Sequence, residues 1–251
     1  MGRKAGRYIP VLGLAFGLGL LAASPVEGQQ VPATNAPHIT SAYRWVGRAL
    51  RLGAFGGWLD TNRGSDRLGP GSTPYGGLIF RARLSNPLSV EVQAAYGQSD
   101  LLVIDPRLAS GPGVVDTTTT RWASIEAGLQ FALTGQRTWH RLQPFVLLEG
   151  GLLRGFKQPL SPALSTTADA PFRYGLGTMP VLEAGAGFEW IPGGRFSVSF
   201  EARDKLLHIK APSGFFQQSV LDQINQLGLP APQDKQWTHN LALTVTVWRY
   251  F

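Results

Sequence analysis

Six glutamates sit inside segments where apolar side chains recur at every second position, and each falls on the face opposite the apolar row. A period of two marks a strand, because successive side chains project to opposite sides. Glu91, Glu126, Glu149, Glu183, Glu189 and Glu201 therefore define one polar face, and Arg51, Arg81, Arg83 and Arg203 fall on it too. The aspartates occupy loops and strand ends instead. A sheet built this way separates two environments, one that accepts hydrocarbon and one that accepts charge.

Eight period-two segments follow one another: 48–60, 73–85, 88–98, 121–133, 142–155, 180–191, 195–204 and the closing run NLALTVTVWRYF. Short turns at 85–87, 134–141 and 192–194 alternate with long connections at 61–72, 99–120, 156–179 and 205–237. That alternation predicts an up-and-down meander with two unlike ends. Within the last connection, Val220, Leu221, Ile224 and Leu227 recur at helical spacing and predict a short amphipathic helix in 214–228.

A soluble barrel turns its apolar face inward; a transmembrane barrel turns it outward and lines its interior with polar groups. Four features select the second arrangement. The chain begins with Arg3, Lys4 and Arg7, then the apolar run YIPVLGLAFGLGLLAA, then VEG before Gln29, the pattern of an export signal over 1–28. Beyond it only Lys157, Lys205, Lys210 and Lys235 remain as lysines, placed in loops or at strand ends. The polar face carries Phe55, Tyr75, Trp122, Phe145, Trp248 and Tyr250, which suit a narrow interior better than a wet surface. Segments of about 10 residues, tilted by ~40°, span roughly 25 Å. The fold class is all-β, an eight-stranded antiparallel up-and-down transmembrane β-barrel over 48–251.

Composition narrows the chemistry. The absence of cysteine excludes disulfides and thiolate sites. Of the net charge of +7, residues 1–28 contribute +2, and the remaining arginines are scattered, so nucleic acid is not an expected partner. Glu183 and Glu189, six residues apart on one strand, lie ~20 Å from each other and cannot share a substrate bond. The glycine-rich pieces lack the Walker Lys-Ser/Thr. His208, Ser213, Asp204 and His239 gather near one end of the last two strands without a recognised catalytic spacing. No catalytic residue, metal ligand or cofactor is assigned.

The segment 48–251 resembles the small eight-stranded outer-membrane barrels of the OmpA-transmembrane, OmpX and OmpW kind in strand count, loop asymmetry, leader and closing strand. The resemblance implies export to a bacterial outer membrane, with residues 29–47 as a periplasmic lead-in. It implies outer-membrane lipid and lipopolysaccharide as surroundings, a monomeric state, and a barrel-assembly signal at Phe251, Val247, Val245 and Leu243. Arg249 departs from that signal, since an aromatic or apolar residue is usual third from the end.

Eight strands leave an interior that side chains can fill. The expectation is a lumen plugged by pairs between the six glutamates and the four arginines, because unpaired buried charge is very costly. The role is then structural or surface-directed, with Phe215 and Phe216 as loop contacts. A narrow channel or hydrophobic-solute transporter is the alternative, and a lipid A-modifying enzyme the second.

Overall fold

The computed structural model describes residues 42–47, 49–106, 113–156 and 175–251. Residues 1–28, where an export signal is expected, and nearly all of 29–47 lie outside them. The strands are β1 (Tyr43–Trp45), β2 (Leu50–Thr61), β3 (Thr73–Arg83), β4 (Leu88–Ile104), β5 (Val114–Ala132), β6 (Arg137–Trp139), β7 (Leu142–Phe156), β8 (Thr178–Gly193), β9 (Phe196–Lys210) and β10 (Lys235–Tyr250). Eight of them form one closed antiparallel barrel in the order β2, β3, β4, β5, β7, β8, β9, β10. β10 closes on β2 from Asn240↔Thr61 to Tyr250↔Arg51, and the Phe251 N–H donates to Leu50 O at 3.1 Å. Closure removes every long edge, so no row of backbone donors and acceptors is left open.

The barrel is inside out. Leu52, Leu78, Phe80, Val92, Ile125, Leu129, Leu148, Leu182, Phe200, Leu243 and Val245 face outward and are exposed. The alternate positions on the same strands are buried, including all six glutamates of the polar face and the six large aromatics expected there. An uninterrupted apolar belt of this extent requires a hydrocarbon surround. The protein is a transmembrane β-barrel; among its described residues no helix is long and apolar enough to cross a membrane.

The strands outrun the expected segments at the long-loop end. β4 continues to Ile104, β5 starts at Val114, β9 reaches Lys210 and β10 starts at Lys235. In this outer tier the pattern inverts. Leu59, Leu101, Leu153, Val181, Leu207 and Ile209 point inward and are buried, joined by Leu68 and Phe215 from the loops. Gln98, Asp100, Arg121, Arg154, Asp204 and His239 point outward. The same strands thus read apolar-out within the membrane and apolar-in beyond it.

Two long loops fold over this tier. The Asp66 carboxylate accepts the Gln233 N–H at 2.9 Å, and Ser65 Oγ meets Gln236 Oε1 at 2.9 Å, tying 62–72 to the segment before β10. That segment holds a 3-10 turn (Ser213–Phe216) and the expected helix, α1 (Gln218–Gln226). Val220 and Ile224 are its buried face, while Leu227 is exposed.

At the opposite end the connections are tight. Gly193 and Gly194 close β8 to β9 with φ of +129° and +71°, values that a side chain would strain. The turn between β5 and β7 is larger because it contains β6, which pairs with β1 of the lead-in at Tyr43↔Trp139 and Trp45↔Arg137. The lead-in is therefore partly a strand, not only extended chain.

Candidate functional site: the charged lumen

Antiparallel register brings the charged row of each strand to a common interior. Arg51 lies opposite Arg81, Arg81 opposite Glu91, Glu149 opposite Glu183, and Glu183 opposite Lys205. Like charges across a strand pair destabilise unless a third group intervenes; Glu189 does so between Arg51 and Arg81, and Arg203 between Glu149 and Glu183. Its guanidinium reaches Glu91 at 2.9 Å, Glu149 at 3.2 Å and Glu183 at 2.6 Å, and its Nε donates to Glu201 at 2.7 Å. One side chain of β9 thereby holds carboxylates from β4, β7, β8 and its own strand. The fork of five donors makes arginine suited to this; lysine has three and no plane.

Below Arg203, towards the short turns, Arg81 pairs with Glu91 and lies over the Trp248 ring at 4.3 Å from its centroid. Arg51 pairs with Glu189, which also accepts from Ser197 and Tyr250. Arg51 donates further to Gln130 Oε1 at 3.1 Å. Above Arg203, the Lys205 ammonium donates to both oxygens of Glu126, at 2.9 and 2.7 Å, and also pairs with Glu183. Gln93 bridges Glu126 and Glu149 at 2.9 and 3.0 Å. Tyr75, Phe55 and Trp122 then close the section, with Tyr75 and Trp122 centroids 6.0 Å apart.

Two placements correct the sequence reading. Lys205 is not at a strand end; β9 continues past it, and it belongs to the network. Its phase, two residues after Arg203, is the signal that identifies it. Arg83 shares the inward phase but pairs with no glutamate in the described structure. It is half-buried at the rim and donates to Val46 O at 2.8 Å, anchoring the lead-in. A third correction concerns the loops. Phe215 is buried in the outer apolar tier and offers no free contact surface, and Phe216 packs partly against the same cluster.

Carboxylate oxygens of Glu126, Glu149 and Glu183 lie within 4.8 Å of one another, the nearest approach to metal-ligand geometry among the described residues. Lys205 and Arg203 already occupy oxygens of this group, so a cation is supplied by the chain. At the outer rim, His239 Nδ1 meets Asp204 Oδ2 at 2.7 Å on the outward face. The other two members of that sequence group are elsewhere: His208 packs on Trp237 and Ser213 opens the 3-10 turn. Thr61 lines the same cavity as Asp204 and His239, but its hydroxyl donates to Pro70 O at 2.6 Å and not to that pair.

The fold and lumen define an eight-stranded transmembrane barrel with a charge-filled interior. No family model and no curated protein matches the chain. Among solved structures it is similar to a Neisserial surface protein A, at 11% identity with TM-score 0.45, covering 84% of this chain and 98% of that one. It is also similar to the outer membrane protein OprG from Pseudomonas aeruginosa, at 15% identity with TM-score 0.46, covering 81% and 97%. A third is Ail, the attachment invasion locus protein of Yersinia pestis, at 12% identity with TM-score 0.32, covering 80% and 96%.

Proposed function

We propose that the chain is an outer-membrane barrel whose lumen is closed, and that it serves as a rigid scaffold for its outer tier and loops, not as a conduit. The observation that supports this reading is Arg203, which draws together carboxylates from across the lumen at membrane depth. Above it stand the aromatic layer and then the apolar tier sealed by Leu68 and Phe215. Charge rows in a wide pore stay hydrated and apart; here they are desolvated and cross-linked. A desolvated, cross-linked network has a large barrier to opening, because breaking its ion pairs leaves buried charge unpaired.

The test is single-channel conductance of the refolded protein in a planar bilayer, with Glu126→Gln and Arg81→Ala alongside. Silence from protein shown to be inserted is the expected result. Discrete current steps that change with either substitution would place conduction through the lumen and overturn the reading.

A further inference from the structure

The two ends of the barrel differ in charge as well as in loop length. Every described aspartate lies at the long-loop end, mixed there with arginine and lysine. At the short-turn end Arg44, Arg137, Arg141, Arg195 and Arg249 are exposed, and among the described residues no acidic side chain is exposed beside them. Glu189, the acid nearest this end, is buried and paired with Arg51.

The flap formed by β1 and β6 sits at this basic end. It is fixed in place: Val46 donates to Gln136 O at 2.8 Å, Arg83 donates to Val46 O at 2.8 Å, and His140 donates to Ala42 O at 3.1 Å. Its orientation follows from register. Trp139 pairs with Leu142, and Leu142 pairs with the outward-facing Trp190. Directly opposed residues share a face of the sheet. Tyr43, opposite Trp139, and Trp45, opposite Arg137, therefore continue the lipid-facing belt beyond the barrel proper. All three side chains are exposed to the surroundings, Tyr43 by 51%, Trp45 by 64% and Trp139 by 52%.

We propose that this flap and the surrounding arginine rim form a docking surface for anionic phospholipid in the leaflet that the short turns face. Tyr43, Trp45 and Trp139 seat at headgroup level, and Arg137, Arg141 and Arg195 take the phosphodiesters. The proposal rests on the outer-membrane reading above, in which the short turns face the periplasm. Two observations select lipid over a protein partner: the aromatic face is continuous with the belt, and the exposed side-chain charge among the described residues at this end is all of one sign. Trp and Tyr favour the membrane interface because one end of the ring is apolar and the other wet. Guanidinium matches phosphate with two parallel hydrogen bonds. Basic side chains at an anionic surface each strengthen binding severalfold at low salt.

The experiment uses the protein refolded into nanodiscs, with folding verified by the shift in gel mobility on heating. Tryptophan fluorescence is quenched with a minor fraction of brominated phosphatidylglycerol or of brominated phosphatidylcholine. The expected result is stronger quenching by the phosphatidylglycerol, lost in Trp45→Phe/Trp139→Phe. Arg137→Gln/Arg141→Gln/Arg195→Gln lowers the headgroup preference on the order of tenfold, as does raising the salt. Equal quenching by the two lipids in folded, inserted wild type overturns the proposal, as does an unchanged preference in the triple arginine variant. Wild type that gives no heat-shifted band and does not insert overturns the membrane-barrel reading, and the proposal falls with it.

Discussion

The two tiers of the lumen use opposite chemistry on the same eight strands. At membrane depth the interior is charged and the exterior apolar; beyond it the interior is apolar and the exterior charged. β9 shows the change along one strand. Its inward row runs Ser197, Ser199, Glu201, Arg203 and Lys205, then Leu207 and Ile209; its outward row runs Phe196, Val198, Phe200 and Ala202, then Asp204, Leu206, His208 and Lys210. The difference teaches that the surround sets the pattern. Where lipid lies outside, burying apolar groups inside brings no hydrophobic gain over leaving them in lipid, and alternation demands a polar interior held by ion pairs. Where water lies outside, the ordinary hydrophobic effect returns and builds an ordinary core.

The comparison breaks most readily at its most connected residue. Arg203→Ala removes the partner shared by four carboxylates, and the expected loss is about 3–5 kcal/mol or failure to fold, read as a lowered urea midpoint in vesicles. A loss below that range would mean that Arg81, Lys205 and Gln93 hold those carboxylates without Arg203. Leu207→Ala in the outer tier opens an apolar cavity instead, with an expected loss of about 2–4 kcal/mol in the same assay. A near-zero value there would show that the outer tier is not a packed core.

The outward face sharpens the boundary between tiers. Val245→Arg in the belt is expected to cost about 2–4 kcal/mol, whereas His239→Arg, six residues nearer the outer end on the same row of β10, is expected to change stability by about 0.5 kcal/mol or less. Equal costs would move the membrane boundary past His239. The smallest expected effect is that of salt. The lumenal pairs are shielded from counterions, so raising ionic strength is expected to leave the unfolding midpoint nearly unchanged. A large salt shift would mean that the network is hydrated.

This boundary explains what was legible in the sequence. The inside-out barrel, its closure and the positions of the six glutamates and the six interior aromatics were readable because membrane-depth alternation is clean. The extra strand length was not. Period two persists through Leu207 and Ile209, but the polarity of the two faces exchanges, and an apolar residue appears where a polar one is awaited. The segment assigned to 195–204 therefore stopped one residue short of Lys205. The alternation of 121–133 likewise falls short of β5, which Thr117–Thr120 extend on the same register. Phe215 looked like a surface loop residue because nothing local shows that it turns down into the outer tier. Arg83 had the right phase, but its partner is a backbone carbonyl of the lead-in, which no side-chain pattern reveals.

The closing seam has a consequence in time. β10 pairs with β2 across most of the chain's length, with Tyr250 beside Arg51 and the Phe251 N–H on Leu50 O. Neither strand has that partner until β10 has been delivered. Contacts so distant in sequence form slowly, since the chain entropy of bringing the ends together is lost before any pairing is gained. Until then β2 and the growing sheet present open edges and an apolar face to water. The first barrel strand must wait for the last, and whatever shields it meanwhile governs the yield of folded protein.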